Sequence, residues 1–531
     1  MGHDRAIVGR KTGVTPLASV VRLADQNAYG AFAARFRKHG QRRFIESFDG
    51  RMFSYADVDR ITAQMAGLIS HHGVRKGDRV AGLLEKSPES IMLYLAVARA
   101  GAVYMPLSTA LRGPEIEYLL RDATPRLAIC APEHAAMLEG LATECGIERI
   151  YTLDATGGGS FCAEFQGGDP DFEPVPCTGQ DANAIVYTSG TTGSPKGAVI
   201  TNGLTVWNAV VLSECWEFEP EDVLLHANPP AFSLFGTTTP VLASGASMLL
   251  LPKFDAAAVV RLLPSATVFA GVPTYYSRLL EREDFTAQGC ARMRLFVTGS
   301  APLRPDVFEA FYQRTGHVLL DRYGLTETLL VTSNPVRGER LPGDSGLPLP
   351  GVELRIVDEA GTPVANGEIG ALEVRQPYMF NGYWRAPEKS KEAFSHDGFF
   401  STGDFGMRTE RGHVAVLGRG TDLIITGGLN VYPKEVENHI NAFDNIAESA
   451  VIGIPHPDFG EGVVAIVELQ NAARSLDVNR LMDDLRSQFS TYKVPKEVLV
   501  VDEMPRNVLG KIQKNVLKQQ YADVFKARKN A

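Results

Sequence analysis

Apolar residues recur along most of the chain at two spacings. Short β-branched or aliphatic runs at Ala184 to Thr188, Val223 to His226, Ser247 to Leu251, Leu295 to Thr298 and Val318 to Leu320 predict buried strands. Intervals long enough for helices separate them. Tyr55 to His71 and Ser90 to Ala100 carry apolar residues near a helical period, the second leading into a strand-like run at Ala102 to Leu107. This alternation reads as βαβ units, so the fold class is α/β with a largely parallel, buried sheet. From about residue 350 to 418 the pattern changes to short strands and turn signals, which predicts an antiparallel β subdomain. The tail has its own order: strands at Ser449 to Ile454 and Val463 to Leu469, a helix at Val478 to Phe489, a strand at Glu497 to Val501. Residues 1–420 are therefore expected to form a large body, and residues 421–531 a small mobile α+β domain joined through Gly418 to Asp422.

Composition narrows the class. The 531 residues include 53 Lys+Arg and 62 Asp+Glu, a net charge of −9, with 44% hydrophobic and 22% charged residues. That is ordinary globular composition and excludes a disordered or disulfide-stapled chain. An acidic balance gives no basic face for nucleic acid. The most apolar stretch, Ser90 to Ser108, is interrupted by Arg99, so neither a signal peptide nor a membrane span is expected. Six scattered cysteines without a C-x-x-C pair suggest a reduced, cytoplasmic setting, with five of the six acting as buried apolar filler.

The strongest chemical signal is Thr188-Ser189-Gly190-Thr191-Thr192-Gly193-Ser-Pro-Lys196, directly after a predicted strand. Glycines and small hydroxylated residues there let backbone N–H groups close on phosphate oxygens, and Lys196 adds charge. The segment suits a polyphosphate. Its spacing differs from G-x-x-x-x-G-K-[ST], which disfavours a P-loop kinase or GTPase.

This segment resembles the phosphate-binding signature of the adenylate-forming superfamily, which includes acyl-CoA synthetases, luciferases and peptide-synthetase adenylation domains. Further motifs follow in the superfamily's order. Gly299-Ser300-Ala301-Pro302 resembles the loop along the adenine, and Tyr323-Gly324-Leu-Thr326-Glu327 the motif whose tyrosine packs on adenine and whose glutamate helps hold Mg²⁺, with Thr192 as companion ligand. Thr402-Gly-Asp404 resembles the ribose-binding motif, and Gly418-Arg419-Gly the arginine at the domain junction. Pro505 to Lys511 resembles P-x-x-x-x-G-K with its catalytic lysine. The resemblance implies a large adenylate-forming domain of α/β layers, a mobile C-terminal domain, ATP and Mg²⁺ as cofactors, and an acyl-adenylate made with Lys511, Glu327 and Thr192. It also implies a second step with coenzyme A, a hinge at Thr421 where relatives often carry Asp or Lys, and a CoA-facing loop at Gly427-Gly428. Acetylation of Lys511, with an acetyltransferase and a deacetylase as partners, would remove the first-step cation. The short stretch after Lys511 leaves no room for a fused carrier domain, favouring free coenzyme A.

Stretches such as Gly271 to Leu279 and Gly427 to Glu435 resemble malonyl-CoA and methylmalonyl-CoA synthetases. A small dicarboxylic acid as partner needs a cation for its distal carboxylate, and Arg278, one turn past Tyr275, is the candidate. One stretch departs from that pattern. Those enzymes carry P-x-x-H-x-H-G where this chain reads Pro230-Ala-Phe232-Ser233-Leu-Phe235-Gly236, in a segment expected to line the acid pocket. A methyl-substituted malonate, a longer dicarboxylate or an aryl acid therefore stays open, as does a non-catalytic nucleotide- or acyl-binding role.

Overall fold

The computed structural model describes residues 17–188, 195–229, 233–301, 303–426, 429–456, 459–471, 475–507 and 510–525. Two sheets and the helices between and outside them build the large body. A six-stranded sheet is ordered Arg149–Thr152, Leu127–Cys130, Arg79–Leu83, Val103–Leu107, Ala182–Thr188, Lys196–Thr201, parallel except for the last pair. A nine-stranded sheet has a parallel centre ordered Leu320–Leu325, Leu295–Gly299, Val268–Ala270, Val223–His226, Ser247–Leu250, Arg43–Ser47, with antiparallel strands at both edges.

The helices Pro88–Arg99 and Asn202–Cys215 are buried on nearly every side, because they lie between the sheets. Ser87 caps the first and Thr201 the second, each accepting a backbone N–H of its helix's first turn. One core joins Val80 and Ala184 of one sheet to Leu224 and Val268 of the other through Leu93 and Trp207 of these helices. The outer faces are covered in turn, one by the helices Pro273–Leu280 and Pro305–Thr315, the other by Gly113–Ala123 and Ala135–Cys145.

An antiparallel sheet of Glu353–Val357, Ile369–Arg375, Phe400–Arg408 and Val414–Arg419 follows, as expected. Residues after Gly420 form a separate five-stranded sheet with the helices Pro433–Ile440 and Val478–Gln488 on one face. Among the described residues no helix is long and apolar enough to cross a membrane.

Three expectations change. The predicted parallel strands divide between two sheets rather than sharing one. The strand expected at Val318 to Leu320 instead runs Leu320–Leu325, since its polar half faces a cleft and lacks an apolar signal. Four cysteines are buried, not five, because Cys177 and Cys215 are only half-buried.

Candidate active site

In open α/β sheets the carboxyl ends of parallel strands meet at a crevice suited to ligands. Here the ends of Val223–His226, Val268–Ala270, Leu295–Gly299 and Leu320–Leu325 open onto a cleft of about 1530 Å³. Residues from the small domain, Lys511 among them, close its far wall.

Asp404 and Arg419 face each other across adjacent antiparallel strands, which puts their side chains in register. Arg419 Nε lies 2.9 Å from Asp404 Oδ1, and the Tyr323 hydroxyl donates to Oδ2 at 2.6 Å. Burial raises the Asp404 pKa, while Arg419, Tyr323 and Lys511 oppose that shift. Lys511 lines the cleft with its side chain still open to solvent, and desolvation by the surrounding protein, followed by the Arg419 charge, lowers its pKa. Its backbone N–H donates to Asn507 Oδ1 at 3.0 Å, and Gly510 turns the preceding residue at φ 76°.

The turn from Leu320–Leu325 into Leu329–Ser333 carries Thr326 and the buried Glu327. The Tyr383 hydroxyl donates to Glu327 Oε1 at 2.8 Å, and no described residue bonds its other oxygen. The same tyrosine's ring lies under Lys196, whose Nζ is 5.2 Å from the ring centroid. Lys196 itself pairs with Thr188 where the two strands flanking the phosphate segment meet.

At the opposite end, Ser300, Ala301, Tyr275 and Arg278 line the cleft with Arg322. Gly299 is required where it stands, since a Cβ would come 2.7 Å from the Arg322 carbonyl oxygen. Ser300 follows with φ 69°, and its hydroxyl accepts from Arg322 at 3.4 Å. Tyr275 stacks on Phe254 with centroids 3.8 Å apart. Arg278 is exposed to the cleft, whereas Arg322 is partly buried and its Nε has no partner. Neither guanidinium forms an ion pair with a described residue. Lys86 also reaches this cleft, buried and bonded to the carbonyls of His226 and Asn228 at 3.2 and 2.8 Å.

Two residues expected in the acid pocket face elsewhere. Phe235 is 4% exposed and packs edge-on against Tyr94 in the main core, and the Ser233 hydroxyl donates to the Pro229 carbonyl at 2.9 Å. Neither lines the cleft. Ser189, Gly190, Thr191, Thr192, Gly193, Phe232, Pro302, Gly427 and Gly428 lie outside the described residues. Gly324 and Tyr323 line the cleft, and Thr421 sits in a short 3-10 turn, Gly420–Asp422, leading from it. Sequence reasoning passed over Arg322 and Tyr383. Arg322 stands one residue before the recognisable motif, and Tyr383 falls in Asn-Gly-Tyr-Trp, which reads as a turn.

The profile described as AMP-binding enzyme matches residues 32–384, and that of the AMP-binding enzyme C-terminal domain matches residues 435–511. An indoleacetate–CoA ligase from Aromatoleum aromaticum is 34% identical, covering 90% of this chain and 94% of that protein. A malonate–CoA ligase from Arabidopsis thaliana is 32% identical, covering 84% and 78%. The crystal structure of ATP-bound MatB from Rhodopseudomonas palustris superposes with a TM-score of 0.91 at 43% identity, covering 94% of this chain and 100% of that one.

Proposed function

Because the chain belongs to the AMP-binding enzyme family and is an ATP-dependent, AMP-forming acid–CoA ligase, we propose that its acid is a short dicarboxylate of the malonate class. Arg322 carries this reading. A partly buried guanidinium without a carboxylate at ion-pair distance is costly unless an anion meets it; the adjacent Asp321 acts on it through charge alone and burial raises that carboxyl's pKa to about 7, which leaves Ser300 and the cleft as its contacts. With Arg278 on the same cleft, two cations await a second carboxylate. Similarity to a malonate–CoA ligase and to MatB points the same way.

In the first step an oxygen of the other carboxylate attacks the α-phosphorus of ATP, and pyrophosphate leaves. Two anions must meet, and negative charge spreads over the transferred phosphorus. Lys511, held beside Asp404 and Arg419, bridges them, and losing such a contact costs about 3–4 kcal/mol in the barrier. Asp404 keeps a lone pair on each oxygen for the ribose hydroxyls. Glu327 suits Mg²⁺, being a buried carboxylate with one oxygen fixed by Tyr383 and the other facing no described donor. Mg²⁺ neutralises the leaving pyrophosphate when bound, and its expected companion, Thr192, lies outside the described residues. In the second step the small domain turns about Thr421, the thiol sulfur of coenzyme A attacks the acyl carbon, the bond from that carbon to the phosphate oxygen breaks, and AMP leaves while the thiol proton passes to solvent.

Pyrophosphate release with ATP, Mg²⁺ and a panel of acids, with and without coenzyme A, tests this reading. Malonate-type acids should turn over. Arg322→Leu should lower their kcat/KM by roughly thirtyfold or more, about 2 kcal/mol, with a smaller effect on monocarboxylates. Equal losses for both acid classes reject the assignment. The stacked Phe254 and Tyr275, with the similarity to an indoleacetate–CoA ligase, support a second reading as an aryl-acid ligase. Turnover of arylacetates with malonate inert would establish it.

A further inference from the structure

Tyr383 touches both charged groups that the proposed reaction places around the ATP phosphates. Its backbone lies alongside the strand that begins with Lys196: Ala198 and Tyr383 form an antiparallel bridge, Val199 N–H donates to Gly382 at 3.0 Å, and Trp384 N–H donates to Gly197 at 2.8 Å. Ser390 holds the Tyr383 N–H through its hydroxyl at 2.8 Å, and Phe380 packs edge-on against the ring at 5.2 Å. The tyrosine is therefore fixed by backbone pairing and packing before any ligand contact is counted. From that position the ring face supports the Lys196 ammonium and the hydroxyl donates to Glu327 Oε1.

We propose that Tyr383 is a positioning residue that sets the separation of Lys196 and Glu327 and aims the free Glu327 oxygen at the metal ion of Mg·ATP. The inference rests on the reading of Glu327 as the metal-binding carboxylate. Two physical arguments support it. A carboxylate with one oxygen tied by a short donor loses rotational freedom, so its second oxygen presents a single direction to a ligand. The ring attracts the Lys196 ammonium through its face without neutralising it, which leaves the full charge for phosphate. A carboxylate in place of the ring would quench that charge, and an aliphatic side chain would hold neither group.

Two substitutions separate the two contacts. Tyr383→Phe keeps the ring and deletes the donor. It should raise the Mg²⁺ concentration for half-maximal pyrophosphate release by about tenfold, leaving the KM for acid and coenzyme A near wild type. Calorimetric titration supplies a readout apart from turnover: Tyr383→Phe should bind ATP in EDTA as wild type does and gain less affinity when Mg²⁺ is added. Tyr383→Leu should weaken ATP binding in EDTA as well, because Lys196 loses its platform. A purely structural tyrosine would instead lower kcat and melting temperature with an unchanged Mg²⁺ dependence, and that result overturns the proposal. Glu327→Gln is the control. If it shifts the Mg²⁺ dependence and Tyr383→Phe does not, the positioning role alone fails. If Glu327→Gln also leaves Mg²⁺ dependence unchanged, the metal assignment fails and the inference falls with it.

Discussion

Asp321 begins the polar half of the strand that carries Arg322 and Tyr323, and its side chain accepts one hydrogen bond, from the Arg322 N–H at 2.9 Å. Burial raises its pKa from 3.8 to about 7, against the opposing charges of Arg322 and of Lys434 from the small domain. The sign of the linkage follows from which state holds the proton. Below about pH 4 the carboxyl is protonated both folded and unfolded, and it costs nothing. As pH rises toward 7 the unfolded chain releases the proton while the folded chain keeps it, so stability falls with pH and the full cost is present above pH 7. Asp321→Asn should therefore be more stable than wild type at pH 8, by at most about 4 kcal/mol, and the advantage should vanish toward pH 4. Thermal unfolding from pH 4 to 8 checks this, and a difference independent of pH would show that the carboxyl is already compensated. A fold tolerates such a cost where a polar strand end must face a substrate, and Arg322 beside it is the same compromise with the opposite charge.

The turn joining Leu320–Leu325 to Leu329–Ser333 makes the corresponding argument for an element. At Gly324 a Cβ would lie 2.1 Å from the Leu329 carbonyl oxygen, and Leu329 itself adopts φ 53°. The backbones approach so closely that only glycine fits, and the turn then brings Glu327 under Tyr383. Gly324→Ala should lower the stability read from its urea midpoint by about 1–3 kcal/mol and also weaken Mg²⁺ dependence, because the turn must shift to admit the methyl group. A lower midpoint with unchanged Mg²⁺ dependence would show that the turn is structural only. Elements of this kind divide into those legible from sequence and those hidden. Tyr55–His71 begins and ends where its apolar period does, with Ser54 and Asp57 forming a capping box at its start. The parallel strands were legible because both their faces are buried, and the separate sheet after Gly420 because its strands carry their own apolar runs. The partition into two sheets was hidden, since periodicity records burial and not the partner strand. Arg322 and Tyr383 were hidden for a different reason. Each contacts a neighbour far along the chain, Ser300 or Glu327, and no local spacing encodes that contact.

At the scale of the whole molecule, an acidic chain of net charge −9 must gather anionic ATP, coenzyme A and a carboxylic acid. It concentrates Lys511, Arg419, Arg322 and Arg278 on one cleft shared by the large body and the small domain. Arg304 of the body also reaches the Asn441 carbonyl at 3.4 Å, so the present arrangement holds Lys511 where the proposed first step needs it. The proposed second step uses a different arrangement, reached when the small domain turns. On either side of Gly427-Gly428 in sequence, Ile425 and Leu429 are 52% and 49% exposed, apolar surface that is free in the present arrangement. Thr421 lies in the 3-10 turn between the two parts, and its carbonyl accepts from Lys518 at 3.4 Å. Thr421→Pro fixes φ near the helical value of that turn, and Gly420 before it, having no Cβ, escapes part of the clash that a proline makes with the preceding residue, so the substitution is compatible with the present arrangement and resists the change to another. Single-turnover pyrophosphate release should then stay within about twofold of wild type, while thioester formation from the same enzyme slows by about tenfold or more, so that acyl-adenylate accumulates when coenzyme A is present. Equal slowing of both half-reactions would instead show that Thr421 serves the cleft itself, and wild-type rates in both would move the pivot elsewhere in the junction.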